Sequence, residues 1–508
     1  RATEKALELD PGLLNAQQNR AVAVERLNGR CREALGRMAD VNDEGGRLEA
    51  AWRAVVDADD AGVLAEDLKG PALAVLQRIG AAEEADRRWP FVETGRAFAA
   101  RDEHRSLLHQ IPRVRTDEDR RELLEQYRAW GRAAEARAAA RPIRPAPRGP
   151  RSRLRIGLLS SDLRIHVVTA FADPLIEHAP ENDVDIYCYS AQPGPPDGAQ
   201  THIAGRVAGF RHLPRAAAEA LAEAVAADAP DVLIEIGGST NANRLEVMAH
   251  RLAPVQASWM GYPHSAGLST IDHIVLDPYL VPPDLSLLVE RPLIAPRSWI
   301  CMSPGFFREA PQPSAELPEE RKGRITFGSA NSTYKYAPAM LRAWARVLAA
   351  VPDSRFLFVR PEAGSPTFRR NMAEAFAREG VSADRLEFAA ARGGHLPYYG
   401  EIDVSLDTFP LTGGTTTCEA LWMGAPVVSL AGPALYERLS RSILHNVGLG
   451  HLCVDDVDAF VATAVEVAAD RAFRRRWRDE CRKAITGGPL GDLPGFAKDF
   501  FALFRRAT

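Results

Sequence analysis

The chain has 508 residues, enough for about three compact units at roughly 100 to 200 residues each. Hydrophobic residues at 46% and charged residues at 26% exclude global disorder and supply several buried cores. Lys plus Arg (63) nearly balance Asp plus Glu (67) for a formal charge of −4, so no overall basic field gathers nucleic acid or an anionic membrane, and any anion must be bound locally.

Residues 1–140 are rich in Ala, Leu, Glu and Arg, and their spacing predicts stacked helices. Ala6-Leu7-Glu8-Leu9-Asp10-Pro11, then Ala21-Val22-Ala23-Val24-Glu25-Arg26-Leu27, is similar to the end of one tetratricopeptide (TPR) repeat and the start of the next. At Glu44-Gly45 the repeat has faded, which leaves either the tail of a longer array or a generic helical cap. Residues 141–153 hold four prolines and a glycine and predict a linker. Beyond it, β-branched runs alternate with amphipathic helices, predicting strands at 154–159, 185–189, 232–236, 255–259 and 273–276. A loop at 302–322 precedes a second series at 325–328, 356–359, 386–388, 404–406 and 427–430. Two Rossmann-like units, 154–315 and 316–475, are expected to face each other across a ligand cleft at the carboxyl ends of their strands. Residues 457–505 predict helices broken at 486–489, with 476–508 closing back over both units and the basic run 471–482 forming a solvated face.

Six cysteines without a CxxC pair write neither a zinc ribbon nor a disulfide framework, so a reducing cytoplasm is expected. No run of 18 apolar residues and no charged-then-apolar leader is present, so membrane and secretory placements are not expected; the opening at Arg1 leaves room for an upstream segment.

The strongest local motif is Asp407-Thr408-Phe409-Pro410-Leu411-Thr412-Gly413-Gly414-Thr415-Thr416-Thr417-Cys418-Glu419. A strand end, two glycines and a threonine-led helix start place free amides where an anion can sit, unless the threonines only cap the helix. Asn331-Ser332-Thr333-Tyr334-Lys335 follows a strand too, and Lys335 can neutralise a diphosphate. Neither a P-loop nor a strand-adjacent Gly-x-Gly-x-x-Gly occurs, so the phosphates are held differently. His166, in the first βα turn, can accept a proton or position a sugar hydroxyl. Asp183-Val184-Asp185 and Asp456-Val457-Asp458 match a metal-binding DxD, a pattern common at strand and helix starts.

In these motifs, and in Pro254-Val255-Gln256-Ala257-Ser258-Trp259-Met260-Gly261-Tyr262-Pro263, the chain resembles the TPR-linked O-GlcNAc transferase and SPINDLY family, glycosyltransferase family 41. Tyr127-Arg128-Ala129-Trp130-Gly131 adds weaker support. The resemblance implies an α/β GT-B fold behind a helical TPR-like region, inversion at the sugar carbon without a metal or other cofactor, and transfer from a nucleotide sugar to Ser or Thr of protein acceptors. Nucleic acid and membrane are not expected partners. By position, His166 falls on the family's proton-acceptor histidine and Lys335 on its diphosphate lysine. Ser332, Tyr334, Gly261 and Pro263 fall in the donor and sugar pocket. Ala390 and Arg392 fall in the donor-binding stretch, where Arg392 replaces a family lysine and can help to stabilise the diphosphate; His395 falls on the nucleotide-base contact, Gly414-Thr415-Thr416 on the phosphate turn, and Glu419 on the ribose carboxylate. Ser332, Val167 and His264 depart from the usual residues, and Gly414 with Phe409-Pro410 is closer to the plant SPINDLY and bacterial branch, whose plant member uses GDP-fucose. UDP-GlcNAc is the favoured donor. GDP-fucose, glucose transfer to Asn, a decayed TPR scaffold and a nucleotide-sugar epimerase are the alternatives.

Overall fold

The computed structural model describes residues 14–38, 43–240, 242–303, 307 and 310–507. The proposed repeat end at Ala6 to Pro11 lies outside them. Helices α1 (Leu14–Arg37), α2 (Glu44–Asp60), α3 (Lys69–Arg78), α4 (Ala82–Arg88), α5 (Phe91–Ala100) and α6 (Asp117–Ala140) form the amino-terminal region. Residues 21–30 fall inside the single helix α1, which packs on α2 and is fastened to the following turn by Asn28. In α6, Thr116 and Asp119 form a reciprocal cap, and Leu123, Tyr127, Trp130, Ala134 and Ala138 bury one stripe at three- to four-residue spacing.

Strands β1 (Leu154–Leu159), β2 (Val184–Ser190), β3 (Gly209–His212), β4 (Val232–Glu235), β5 (Val255–Ser258), β6 (His273–Leu276) and β7 (Arg291–Ile294) build a parallel sheet in the order β3-β2-β1-β4-β5-β6-β7. Helices α7 (Val167–His178), α8 (Gly198–Ala204) and α9 (Ala218–Asp228) belong to its crossovers. A second parallel sheet, from β8 (Thr326–Ser329), β9 (Arg355–Val359), β10 (Leu386–Ala389), β11 (Val404–Leu406), β12 (Val427–Leu430) and β13 (Cys453–Val454), has the order β10-β9-β8-β11-β12-β13. Its helices are α10 (Pro318–Lys322), which ends the expected loop early, α11 (Pro338–Ala350), α12 (Pro366–Ala377), α13 (Thr415–Trp422), α14 (Leu439–Asn446) and α15 (Val457–Ala469). Both orders reverse beside the first strand of each unit, the crevice where such sheets bind ligands. The chain therefore forms the α/β, GT-B arrangement of two Rossmann-like units with a helical region in front.

β3, β7 and β13 were not among the expected strands. Each lies at a sheet edge and carries exposed or half-buried residues, or spans only two, so no apolar run marks it. In α16 (Arg471–Thr486) the basic run divides: Arg471, Arg475 and Arg476 are exposed as expected, whereas Arg474 is buried against Asp403, at 3.0 Å, and Glu319, and Arg478 is buried as well. α17 (Leu493–Ala507) then returns to the first unit, where Phe500 packs on Trp259 and Arg297 is held by Asp492 and Asp499. The two units touch directly through Asp277, at the end of β6, which accepts from Ser442 and Asn446 of α14.

Candidate active site

Beyond β8 the chain turns through Asn331 and Ser332 into one 3-10 turn, Thr333–Lys335, before Pro338 opens α11. Lys335 Nζ donates to the Thr412 carbonyl at 3.0 Å and to Asn331 Oδ1 at 3.3 Å. Burial, opposed by the Asp407 carboxylate, lowers the amine to about 8. Asp407 closes β11 and is itself buried. Its Oδ1 accepts from the amides of Thr408 and Gly413, both at 2.8 Å, and its Oδ2 from Ser429 Oγ at 2.7 Å. Gly413 is required by this turn, because a Cβ there would stand 2.3 Å from Thr417 Oγ1 and 2.9 Å from Asp407 Oδ1. A Cβ on Gly414, by contrast, would meet nothing within 4 Å beyond its chain neighbours.

α13 starts at Thr415, so the first amides of Thr415 and Thr416 have no partner within the helix and its positive end faces the turn. Thr416 Oγ1 donates to Asn331 Oδ1 at 2.8 Å, and Asn331 thereby ties the helix start to Lys335. One turn on, buried Glu419 accepts from Tyr399 OH at 3.3 Å and lies 3.0 Å from His395 Nε2. Ser332, Tyr334, Lys335, Gly414, Thr415, Thr416, His395 and Glu419 thus converge around the carboxyl ends of β8, β10 and β11. Ala390 is exposed at the end of β10, and Arg392 reaches from the loop after β10 to the helical region, forming a bidentate pair with Glu44. Asn331, Asp407 and Tyr399 were not assigned roles from the sequence. An Asp directly after the apolar strand 404–406 was the signal available for one of them.

His166 stands on the other unit, as the cap of α7. Its Nδ1 accepts the Val168 amide at 3.3 Å, and its Nε2 lies 3.9 Å from Asp162 Oδ1. Burial, with Arg164 nearby, lowers its pKa against the pull of Asp162, so the ring is neutral near pH 7. Gly261 and Pro263 lie in the loop after β5, where the Tyr262 hydroxyl meets that of Tyr127 from α6.

A family model, glycosyl transferase family 41, matches residues 144–290 and 313–500. The chain belongs to that family. Among curated relatives, a probable UDP-N-acetylglucosamine–peptide N-acetylglucosaminyltransferase SPINDLY of Arabidopsis thaliana is 31% identical over 70% of this chain and 39% of its own length. The probable enzyme SEC of the same plant is 27% identical over 68% of this chain and 36% of its own. The chain therefore spans about two fifths of the length of these relatives. A solved structure of a Thermobaculum terrenum O-GlcNAc transferase mutant superposes with a TM-score of 0.66 at 26% identity, covering 96% of this chain and 97% of that one.

His264, which the resemblance put outside the family's usual pattern, has a defined place in the structure. Its ring stacks between Tyr127 of the helical region, at 4.5 Å, and Tyr436 of the second unit, at 5.6 Å. Burial lowers it to about 4, so it is neutral. Both DxD matches are engaged in structure: Asp183 and Asp185 pair with Arg153, Asp456 caps α15 and Asp458 pairs with Arg346.

Proposed function

We propose that the chain is an inverting protein O-glycosyltransferase that moves a sugar, GlcNAc from UDP-GlcNAc in the favoured reading, to Ser or Thr of protein acceptors without a metal or other cofactor. The observation that carries the reading is the junction of Lys335, Asn331 and Thr416 at the positive start of α13. In an inverting transfer the acceptor oxygen attacks the anomeric carbon, that carbon's bond to the diphosphate breaks, and negative charge grows on the leaving diphosphate. A lysine ammonium, two helix-start amides and threonine hydroxyls are the groups that stabilise that charge. Glu419 is suited to accept from ribose hydroxyls, and Arg392 and His395 flank the place of the base.

In this reading His166 acts on the same reaction from the first unit. Because Nδ1 accepts from Val168, the neutral ring carries its proton on Nε2, which favours donation to a donor or acceptor oxygen over proton abstraction. The family membership and the naming of the relatives as probable UDP-N-acetylglucosamine–peptide N-acetylglucosaminyltransferases support the donor and the protein acceptor. Six free, buried thiols suit a reducing compartment, and the cytoplasm is the proposed location.

The test is release of nucleoside diphosphate from UDP-GlcNAc, UDP-glucose and GDP-fucose, in chelator, with and without a protein acceptor mixture. Acceptor-dependent release from UDP-GlcNAc supports the reading. Preference for GDP-fucose reassigns the donor, and interconversion of free donor without an acceptor removes the transferase reading.

A further inference from the structure

The helical region does more than precede the catalytic units, because one of its carboxylates reaches the donor site. Glu44 is the first residue of α2, and its carboxylate is almost fully buried. Arg392 lies 348 residues later in sequence and sits on the loop after β10. Its Nη2 donates to Glu44 Oε1 at 2.6 Å and its Nε to Oε2 at 2.5 Å, a fork-on-carboxylate geometry that fixes the plane of the guanidinium. Glu44 Oε1 also accepts from Arg78 of α3, which pairs in turn with buried Glu362 of the second unit at 2.7 Å. Two cations and two anions, one of each from either side of the interface, therefore form a neutral chain. Burial pushes the Glu44 carboxyl up, but the Arg392 and Arg78 guanidiniums outweigh it and hold the group below the usual carboxylate range.

The backbones meet just as closely. A Cβ on Gly45 would lie 2.7 Å from the Gly364 carbonyl carbon, and Glu49 accepts from Ser365 and Thr367. The same region reaches the donor site again where the rings of His109 and Tyr334 meet edge to face, their centroids 5.4 Å apart. Arg392 keeps 45% of its side-chain surface open, and its Nη1 makes no hydrogen bond among the described residues. A guanidinium tied along its Nε–Nη2 edge, with Nη1 left to donate and nearly half of its surface open, is suited to stack on a nucleobase and donate to a base carbonyl.

We propose that Glu44 is a positioning residue of the donor site: it holds Arg392 in the orientation that reads the base of the nucleoside diphosphate. The inference rests on the assignment of Arg392 to the base in the functional reading above. It makes the helical region a structural part of donor recognition.

The experiment is calorimetric titration of the full chain with UDP, GDP, dTDP and inorganic pyrophosphate, comparing wild type, E44Q, E44D, R392M and the double variant. E44Q is expected to weaken the preferred nucleotide about ten-fold, the cost of one lost charge-assisted contact, and to leave pyrophosphate affinity unchanged. The double variant should bind no worse than R392M, since Glu44 acts through Arg392. E44D keeps the Arg78 pair while shortening the reach, so it should show the same base-selective loss at smaller size if E44Q does not fold. Wild-type affinity in both Glu44 variants overturns the proposal, as do equal losses of nucleotide and pyrophosphate, losses that multiply in the double variant, or tighter binding in E44Q. Those outcomes, with nucleotide still bound by wild type, leave the transferase reading standing. Failure of wild type to bind any nucleotide removes that reading and the proposal together.

Discussion

Replacing Lys335 with Met removes the ammonium and keeps most of the chain's bulk. A unit charge about 4 Å from a phosphate oxygen, at an effective dielectric near 20, is worth ~4 kcal/mol. Burial, which lowers the free amine to about 8, takes back part of this. The remaining ~3 kcal/mol corresponds to a loss of about 10²-fold in nucleoside diphosphate affinity and at least as much in transfer. The fold should survive, because Asp407 keeps its hydrogen bonds from Thr408, Gly413 and Ser429 when the lysine is gone. Titration calorimetry with UDP and GDP gives the affinity, and a melting curve checks the fold. A folded Lys335→Met protein that binds within two- to three-fold of wild type, on an effect sized at about 10², would remove Lys335 from the diphosphate site.

Lys335 also sets a pH dependence. Its pKa in the free site is about 8, so the charge that holds diphosphate is present below pH 8 and lost above it. Affinity should fall by up to about tenfold per unit as pH rises above 8, and Lys335→Arg should flatten the profile in the same titration. His166→Ala should slow transfer while nucleotide affinity stays near wild type, and should cost about 1 kcal/mol of stability through the lost α7 cap. His166→Asn, which can cap, should restore the melting temperature and not the rate; equal losses of binding and rate would make the residue structural. Arg120→Met strands the buried Glu437 carboxylate that it holds at 2.5 and 2.9 Å, and a destabilisation of about 3 kcal/mol is expected in thermal or denaturant melts. An unchanged midpoint would show that water replaces the pair.

The central strands were legible because both of their faces are buried and their sequences are near-continuous apolar runs, as in 232–235 and 404–406. The edge strands β3 and β7 were not, since they are exposed or half-buried and carry Arg, His and Pro, whereas the edge strand β10 was legible. Lys335, Thr415 and Thr416 were readable from local chemistry, because they stand in the loop after β8 and at the helix start after β11, whereas the role of Glu419 came from the family resemblance. Asn331 and Asp407 escaped assignment because their roles are hydrogen bonds between two loops 76 residues apart. The Glu44–Arg392 pair had no local signal at all: a lone Glu after a faded repeat and a lone Arg beside two glycines meet only when the helical region docks. The buried Arg474 and Arg478 show the same limit, for a basic run on a helix reveals nothing about which of its faces lies against Asp403.

Mass spectrometric mapping of the sugar on an acceptor protein, after incubation with UDP-GlcNAc or GDP-fucose in chelator, addresses the proposed chemistry most directly. Transfer to Ser or Thr by wild type, with none by Lys335→Met, is the predicted result. Sugar on Asn, or no transfer from any nucleotide sugar by a folded wild-type chain, would contradict a protein O-glycosyltransferase built around Lys335 and the start of α13.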